Sequence, residues 1–520
     1  MSAENTMADS RVVSLASDII SAVKNGTVKD REQLQNMKLK LCKVYGLPGV
    51  PPNSEILAEV SEQDRKLLTP FLIKKPMRTM SGVAVVAVMT SPYDCPHGKC
   101  SYCPGGVQNG SPQSYTGKEP AARRADRNGF DPWSQVSDRI RQLTEIGHKT
   151  DKIDLIIMGG TFTCRDPEYQ EWFVRRCFDA MNGIDSDTLQ QAHLINETSE
   201  HRCVGLTVET RPDVFDDAQI ERAMELGATR VELGVQILDD DILKGVDRGH
   251  GTAEVRRCTK ACRDHGLKVC YHIMPGLPGT TPEKDLKCFR KVFDDPSYRP
   301  DMLKFYPTLV VSGTKLYDMW KAGEYTPLDV DTAVKLLSDM KSTVPEYVRI
   351  QRIQRDIPVP QISAGILKSN IRQLVEDSMA SEGRACRCIR CREVGHTGAV
   401  LEDPSRIAMK DTEYELNGGT EHFISFEYED SIIGYVRLRL DDNELATIRE
   451  LKVFGRIAAI GDEGEDWQHR GFGRELVAKA EEIARANGRK GIRVTSGVGV
   501  RGYYASLGFS KALPYMAKMF

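Results

Sequence analysis

Six short apolar runs recur between Ser81 and Tyr306, each separated from the next by a stretch with helical spacing of its apolar residues. Strands that alternate with amphipathic helices form βα units and a parallel sheet. Six such units are fewer than the eight that close a barrel, so the sequence predicts an α/β fold with an open or partial barrel. The six runs read GVAVVAVM, KIDLIIM, VGLTVE, RVELGVQ, LKVCYHIM and DMLKFYP.

The remainder of the chain divides into three further regions. The residues before the barrel have charged, helical patterning, and the stretch after Tyr306 mixes helices with basic loops. From about Glu413, alternating strands precede a glycine-rich loop and a long amphipathic helix, which indicates a second α/β unit. The predicted domains are a helical N-terminal region at 1–78, the partial barrel at 79–310, a linker at 311–400 and the C-terminal unit at 401–520.

Composition excludes several classes of protein. Of the 520 residues, 40% are hydrophobic and 28% are charged, which is ordinary for globular domains rather than disordered or fibrous chains. The N-terminus lacks the pattern of an export signal, and no apolar run is long enough to span a membrane. We therefore expect a cytoplasmic protein. In that reducing environment, clusters among its 14 cysteines indicate metal binding more often than disulfides.

Charge gives a local signal only. The formal net charge of −3 provides no general attraction to nucleic acid. Between Lys341 and Arg392, however, ten Lys and Arg residues face five Asp and Glu residues. A solvated basic face is the more common origin of such a run, and contact with an RNA backbone is the alternative.

The segment CPHGKCSYCP, residues 95–104, follows the first strand. Zinc in such a loop usually takes four protein ligands, whereas three cysteines on an iron–sulfur cluster leave one iron for a small molecule. Parallel sheets build their sites at this carboxyl edge, which favours the three-cysteine cluster. MGGTF ends the second strand; a Gly-Gly pair after a strand is usually only a turn, and contact with a small ligand is the alternative. The candidate cluster ligands are Cys95, Cys100 and Cys103, and the candidate contacts to the small molecule are Gly159, Gly160 and Thr161.

A second motif, QHRGFGR, opens the long helix of the C-terminal unit. Glycines at a helix N-terminus let backbone N–H groups approach a pyrophosphate, although the same pattern also occurs as simple turn geometry. The strand IRELKVFG and the segment YYASLGF accompany this loop. Tyr504 in that segment would otherwise be interpreted as a packed aromatic residue.

The cysteine loop resembles the radical S-adenosylmethionine (SAM) superfamily, with one extra residue in the first gap, and the C-terminal motifs resemble GNAT acetyltransferases. Together they resemble the catalytic subunit of Elongator and its stand-alone archaeal and bacterial relatives, and the archaeal type fits best. The resemblance covers nearly the whole chain from about residue 30. Its further strings are QSYTGKEPAARRA, ETRPD, ELGVQ, MPGLPG, KFYPTLV and CRCIRCRE.

The resemblance implies a tRNA-modifying enzyme that forms 5-carboxymethyluridine at the wobble uridine, U34, from acetyl-CoA. A [4Fe-4S] cluster with SAM would produce a 5′-deoxyadenosyl radical that takes hydrogen from the acetyl methyl group. Lys152 and Tyr504 would be catalytic and would contact acetyl-CoA. The remaining implied cofactor contacts are Gln236, Glu450, Leu451, Lys452, Val453, Gln468, Gly471, Phe472, Gly473 and Arg474.

The same resemblance implies zinc on Cys386, Cys388 and Cys391, with His396 as a candidate fourth ligand. It also implies a reductant for the iron–sulfur cluster and contacts with the tRNA anticodon stem-loop. The expected tRNA contacts are Arg123, Arg124, the basic residues around the second cysteine cluster and the N-terminal region. The sequence leaves the oligomeric state open, a homodimer included.

Two other functions compete with this interpretation. A protein lysine acetyltransferase with a purely structural iron–sulfur cluster would need the C-terminal motifs alone for its chemistry. A non-catalytic tRNA-binding scaffold would need neither the cysteines nor the glycine-rich loop nor Tyr504. The presence of all three therefore argues against a scaffold.

Overall fold

The computed structural model describes residues 10–47, 49–72, 79–399, 402–454 and 471–520. It begins with four helices that pack around Leu15, Ile19 and Leu34. Their apolar residues recur at helical spacing, so each helix has one face to bury. These helices are α1 (Ser10–Lys24), α2 (Arg31–Val44), α3 (Asn53–Ala58) and α4 (Glu62–Leu72).

A seven-stranded sheet follows, and all of its neighbouring strands are parallel. Strand order follows chain order because each crossover brings the chain back beside the strand it has just left. The strands, in sheet order, are β1 (Ala84–Met89), β2 (Lys152–Met158), β3 (Arg202–Thr210), β4 (Arg230–Gln236), β5 (Lys268–Ile273), β6 (Met302–Phe305) and β8 (Arg349–Ile353).

The crossover helices begin at local capping signals. The Asp131 carboxylate accepts a hydrogen bond from the Ser134 backbone N–H, and the Thr281 hydroxyl does the same for Lys284. A proline follows each of these caps, where its missing N–H costs nothing. The helices are α5 (Pro120–Arg127), α6 (Pro132–Glu145), α7 (Pro167–Asn182), α8 (Leu189–Asn196), α9 (Asp217–Glu225), α10 (Asp240–Gly245), α11 (Thr252–Asp264) and α12 (Pro282–Asp294).

The predicted α/β fold with a partial parallel barrel is confirmed, with one strand more than the six that the sequence indicates. The additional strand, β8, lies within the stretch predicted to be a linker. Its sequence, RIQRI, is too polar to stand out as a buried strand. Arg349 is nevertheless buried there, because its guanidinium pairs with the Glu393 carboxylate at 2.7 Å.

The segment around β8 links the two large units. It contains a small two-stranded sheet and several helices, and the Ile389 N–H donates a hydrogen bond to the Val348 carbonyl. Its elements are β7 (Val310–Val311), β9 (Ile362–Ala364), α13 (Lys315–Lys321), α14 (Val330–Ser342), α15 (Ile371–Ser381), α16 (Ile389–Arg392) and α17 (Val394–Thr397).

The C-terminal unit is a second seven-stranded sheet, mostly antiparallel, with α18 (Phe472–Ala486) packed on it. This order of strands, glycine-rich turn and helix is the one that the sequence predicts. The strands, in sheet order, are β10 (Ile407–Leu416), β11 (Gly419–Tyr428), β12 (Ser431–Leu440), β13 (Leu445–Val453), β14 (Gly491–Val494), β16 (Tyr515–Met519) and β15 (Ser510–Ala512); α19 (Arg501–Ser506) precedes β15.

A buried ion network joins the barrel to the C-terminal unit. Arg449 on β13 contacts Asp301, the residue before β6, and also Glu421 on β11. Arg437 on β12 lies 3.0 Å from Glu450 and 3.7 Å from Asp301. These side chains are almost fully buried, so each charge depends on its partners to offset the loss of hydration. The network therefore fixes the two units against each other.

The composition predicts no membrane-spanning run and predicts free thiols rather than disulfides. Within the described ranges, no helix has both the length and the apolar character needed to cross a bilayer. All 14 cysteines are free thiols. The two cysteine clusters are thus available to bind metal.

Candidate functional sites

The first cavity lies at the carboxyl ends of the parallel strands. Its lining includes all three cysteines of the first cluster, together with Gly160 and Thr161 after β2 and Gln236 at the end of β4. Parallel sheets collect ligand-binding loops at this edge. The predicted cluster ligands therefore share one pocket with Gly160, Thr161 and Gln236, whereas Gly159 does not line it.

Two glycines after β2 bring the backbone close to its neighbours. Gly159 has a φ of 126°, and a Cβ there would lie 2.2 Å from the Thr90 hydroxyl oxygen. Gly160 has a φ of 90°, and its Cβ would come within 3.2 Å of Gln113. Only glycine adopts this path without strain. Thr161 then places its hydroxyl 3.4 Å from the Cys95 thiol.

Other side chains, including His97 from the same loop, surround the thiols. The Gln113 amide donates a hydrogen bond to the Cys103 sulfur at 3.0 Å, and His97 Nε2 lies 3.2 Å from the Cys100 sulfur. The Arg248 guanidinium lies 3.6 Å from the same Cys100 sulfur. Arg248 is 148 residues away in the chain, so no local pattern could have indicated this contact.

The spread of these thiols suits a cluster better than a single ion. Four sulfurs around one zinc at 2.3 Å lie about 3.8 Å from one another. The second cysteine cluster has its three sulfurs within 4.8 Å, whereas the first does not form so tight a group. Burial also raises the pKa of the Cys95 and Cys100 thiols, a cost that metal coordination offsets by stabilising the thiolate.

A second cavity, of about 630 Å³, lies at the opposite end of the barrel, between the barrel and the C-terminal unit. The barrel contributes residues at the start of its strands, and the C-terminal unit contributes the end of β13 and the start of α18. The predicted catalytic pair, Lys152 and Tyr504, lines this one cavity. So do all the predicted contacts among Glu450, Leu451, Lys452, Val453, Gly471, Phe472, Gly473 and Arg474. Gln468 lies outside the described residues.

The backbone around this cavity is open to a ligand. Pairing between β13 and β14 stops at Ile448 opposite Val494, so the later residues of β13 separate from that neighbour. Within the described residues, no side chain caps the start of α18, and Gly471 before it has a φ of 88°. A Cβ on Gly473 would lie 2.7 Å from the Tyr503 hydroxyl. The uncapped N–H groups and the dipole of this helix favour a phosphate.

The same cavity carries several cations. Burial lowers the pKa of Lys152 and of Lys268, the first residue of β5. Burial, followed by the nearby Arg349, lowers the pKa of Lys452 to about 8. An anionic ligand relieves both effects by supplying opposite charge. Lys268 and Arg230 could not be predicted from the sequence, because a cation at the start of a strand is usually solvated.

Buried charges connect the two cavities through the inside of the barrel. Arg230 lies in the second cavity, 3.1 Å from Asp154 and 3.8 Å from Glu232. Glu232 lines the first cavity and pairs with Lys304 and with His272. Burial opposes ionisation of Glu232, but Lys304 and His272 outweigh it and lower its pKa. In the sequence, this polar lumen is indicated by the charged residues Arg230 and Glu232, which stand at alternate positions in RVELGVQ.

A third, basic cavity adjoins the first at the edge of the barrel. The two cavities share Arg352, Arg355 and Asp356. The Arg355 guanidinium donates to the Ser114 carbonyl and lies 5.8 Å and 5.9 Å from the rings of Tyr115 and Tyr306. The cations that line the third cavity are Lys118, Arg123, Arg124, Arg127, Arg352 and Arg355.

The arginines around the second cysteine cluster are arranged differently. Arg384 pairs with Asp339 at 2.8 Å, Arg387 with Glu346 at 2.7 Å, and the buried Arg392 lies 3.4 Å from the same Glu346. Most of this basic run thus holds the linking segment together. The three cysteines themselves lie together, but His396 is not part of their group, and its Nε2 lies 4.0 Å from Glu393.

The fold and these sites define a radical SAM half-barrel joined to a GNAT acetyltransferase unit. Four family models match this chain, and all four agree with this class. The radical SAM superfamily matches residues 90–291, the radical SAM C-terminal domain 300–381, the acetyltransferase (GNAT) family 391–509, and the ELP3 N-terminal domain 12–80. The radical SAM and GNAT domains imply an iron–sulfur cluster, SAM and acetyl-CoA.

Relatives extend the match over nearly the full chain. The chain is 47% identical to a tRNA uridine(34) acetyltransferase of Methanocaldococcus jannaschii, covering 96% of both chains. It is 40% identical to human Elongator complex protein 3, covering 94% of this chain and 93% of that one. A solved Methanocaldococcus infernus Elp3 lacking its N-terminus matches 85% of this chain and all of its own at a TM-score of 0.75 and 45% identity. The chain belongs to the Elongator complex protein 3 family.

Proposed function

We propose that the protein forms 5-carboxymethyluridine at the wobble uridine of tRNA from acetyl-CoA. The observation that carries this proposal is the placement of two cavities at opposite ends of one barrel. One presents three cysteines with Gly160 and Thr161 after β2, and the other presents the start of α18 with several lysines. A charged lumen joins them. The names of the archaeal relatives support the same activity.

Each of the two cavities would carry out a different part of the reaction. Cys95, Cys100 and Cys103 would hold the cluster, which together with SAM supplies radical chemistry for C–H bonds that ordinary bases do not activate. The start of α18 would bind the pyrophosphate of acetyl-CoA, and the open side of β13 would pair with its amide groups. Lys152 and Tyr504 would lie at the thioester, where the ammonium and hydroxyl groups can donate to its carbonyl oxygen.

We propose that the basic cavity beside the first pocket binds the backbone of the anticodon loop. Its cations outnumber its single acidic residue, Asp356, and Lys118, Arg123, Arg127 and Arg352 are exposed. Clustered exposed cations are what phosphate contacts require. Because the cavity adjoins the first pocket, RNA bound there would place a neighbouring unpaired base at the pocket entrance. The N-terminal region remains a further predicted tRNA contact.

Replacing Arg123 with glutamine is expected to weaken tRNA binding severalfold at low salt. Loss of one phosphate contact reduces the slope of log affinity against log salt by about 1, without altering preference among RNA sequences. Titration of labelled tRNA at several salt concentrations measures both quantities. Lys490→Gln is the control, because Lys490 is also an exposed cation, on the C-terminal unit, and is paired with Glu444. Equal slopes for the two variants would place the RNA elsewhere.

We propose that Cys386, Cys388 and Cys391 bind zinc. Their sulfurs lie within 4.8 Å of one another, a spacing that suits a single tetrahedral ion. Cys388 is fully buried just before α16, so the site would brace the segment that adds β8 to the barrel.

We also propose that the domain boundaries lie near residues 78, 310 and 400, with β8 of the linker completing the barrel sheet.

The activity is tested with the full chain, reconstituted with iron and sulfide and reduced without oxygen. Incubation with tRNA, SAM and acetyl-CoA is expected to release CoA and to yield carboxymethyluridine in nucleoside digests analysed by mass spectrometry. Omission of SAM should abolish the modified nucleoside. Acetylation of lysines in a protein substrate, unaffected by loss of the cluster and without any modified uridine, would instead identify a protein acetyltransferase.

A further inference from the structure

Gln354 is a buried residue whose side-chain oxygen has no hydrogen-bond donor. It follows β8 and lines the third cavity, and only 9% of the residue is exposed. Among the residues that the structure describes, no N–H or O–H group donates to its Oε1 atom. A buried amide oxygen without a hydrogen bond is costly, so its presence in a folded protein requires an explanation.

The backbone holds Gln354 in a defined position. Ile353 of β8 pairs with Phe305 of β6, and the Gln354 N–H donates to the Phe305 carbonyl at 2.7 Å. The φ of Gln354 is 85°, a conformation that residues other than glycine rarely adopt. Because β8 is the edge strand of the barrel sheet, Gln354 stands at an open corner of that sheet.

The third cavity offers the other contacts that a nucleotide needs. Its volume is about 560 Å³, within the range of small-ligand pockets. Its cations can contact phosphates. Pro358 and Val359 provide an apolar surface for the face of a base, and Val359 is 39% exposed. Gln354 adds an amide, a group that pairs with the edges of bases.

A base beside Gln354 would not be the target uridine itself. The first and third cavities share Arg352, Arg355 and Asp356, but Gln354 lines the third cavity and not the first. The proposed target base enters the first cavity, where the cysteine cluster lies. Since the two cavities adjoin, a base in the third cavity belongs to a nucleotide next to the target in the RNA chain.

We infer that Gln354 is a specificity-determining contact for the unpaired nucleotide beside the target uridine: its Oε1 accepts an N–H of that base, while the surrounding cations hold the flanking phosphates. The inference rests on the proposed binding of the anticodon loop in the third cavity. The amide is uncharged, so this contact adds recognition of a base without adding to the salt dependence of binding.

Titration of a labelled anticodon stem-loop RNA with the full chain tests the contact. Gln354→Met is expected to weaken binding about fivefold or more, since it removes a contact to a base edge. The slope of log affinity against log salt should stay unchanged, in contrast to Arg123→Gln. Gln351→Met is the matched control, because Gln351 lies in the same strand, its amide bonds to the Met302 sulfur, and it lines neither cavity.

RNA variants identify the base that Gln354 contacts. Two further RNAs each carry one abasic nucleotide, on the 5′ side or on the 3′ side of the target uridine. With one of these RNAs, Gln354→Met should cause no further loss of affinity, because the partner of the amide is already missing. Gln354→Gly should behave in the same way, and glycine adopts the φ of 85° without strain. If the methionine variant does not fold, the glycine variant decides.

Several results would overturn the inference. Wild-type affinity in the Gln354 variants would remove the contact, and equal losses with the intact RNA and both abasic RNAs would show that the amide meets neither neighbouring base. A reduced salt slope would assign the loss to disturbed phosphate contacts. If Arg123→Gln reduces the slope while the Gln354 variants bind normally, only this inference fails. Coupling to one base without any formation of carboxymethyluridine would contradict only the proposed activity.

Discussion

Replacing Cys100 with serine is expected to abolish uridine modification and leave acetyl-CoA binding intact. Iron–sulfur clusters depend on soft thiolate ligands, which a serine hydroxyl cannot replace at neutral pH. The cavity proposed for acetyl-CoA lies at the other end of the barrel, and Cys100 does not line it. Iron content and nucleoside mass spectrometry measure the loss. Isothermal titration with acetyl-CoA, or with a non-hydrolysable analogue, measures what is retained.

Cys164→Ser is the matched control for this experiment. The Cys164 N–H donates to the Thr161 carbonyl at 3.1 Å, and the Thr161 hydroxyl lies 3.4 Å from the Cys95 sulfur, so Cys164 lies close to the cluster loop. It does not line the first cavity, and we expect its replacement to leave iron content and modification unchanged. If Cys164→Ser also lost the cluster, four cysteines would hold it. No iron would then remain open for SAM, contrary to the proposal.

The parallel half-barrel could be predicted from the sequence because most of its strands are buried on both faces. Such strands are mostly apolar runs, as in LKVCYHIM, where β5 is buried at four of its six positions, and helices with one apolar face separate them. Strand β8 is the exception. Arg349 and Arg352 both lie in it, and the charge that hides the strand in the sequence is neutralised in the fold by Glu393 and Asp356. A partner distant in sequence, such as Glu393, leaves no local pattern.

The same distinction between local motifs and contacts distant in sequence applies to the candidate sites. The loops that line the two cavities could be identified in the sequence because each motif is local: the three cysteines of the first cluster span nine residues, and the start of α18 is marked by its glycines. The polar lumen and Arg248 could not, because their contacts join different strands and loops. Glu232 meets Lys304 across 72 residues, for example. The charge of Glu232 inside an apolar strand indicated a polar interior, but nothing near it in the sequence indicated that Lys304 is its partner.

The fixed arrangement of the two units can be tested at Asp301. Its carboxylate lies 2.9 Å from Arg449 and 3.7 Å from Arg437, and it also accepts the Val269 N–H at 2.7 Å. Burial opposes its ionisation, but the guanidinium groups outweigh burial and hold the pKa of Asp301 below its usual value. Asp301→Asn keeps the shape and removes the charge. Because it leaves buried arginines undercompensated, we expect a loss of about 3–5 kcal/mol in stability.

Thermal unfolding followed by circular dichroism measures this loss, and limited proteolysis reports separation of the two units. Glu444→Gln is the control, because Glu444 and Lys490 form an exposed pair whose removal should barely change the transition. The second cavity is lined from both sides of the interface, by Lys268 and Arg230 from the barrel and by Glu450 and Tyr504 from the C-terminal unit. Asp301→Asn should therefore also weaken acetyl-CoA binding. An unchanged transition would mean that packing, rather than the ion network, holds the cavity together.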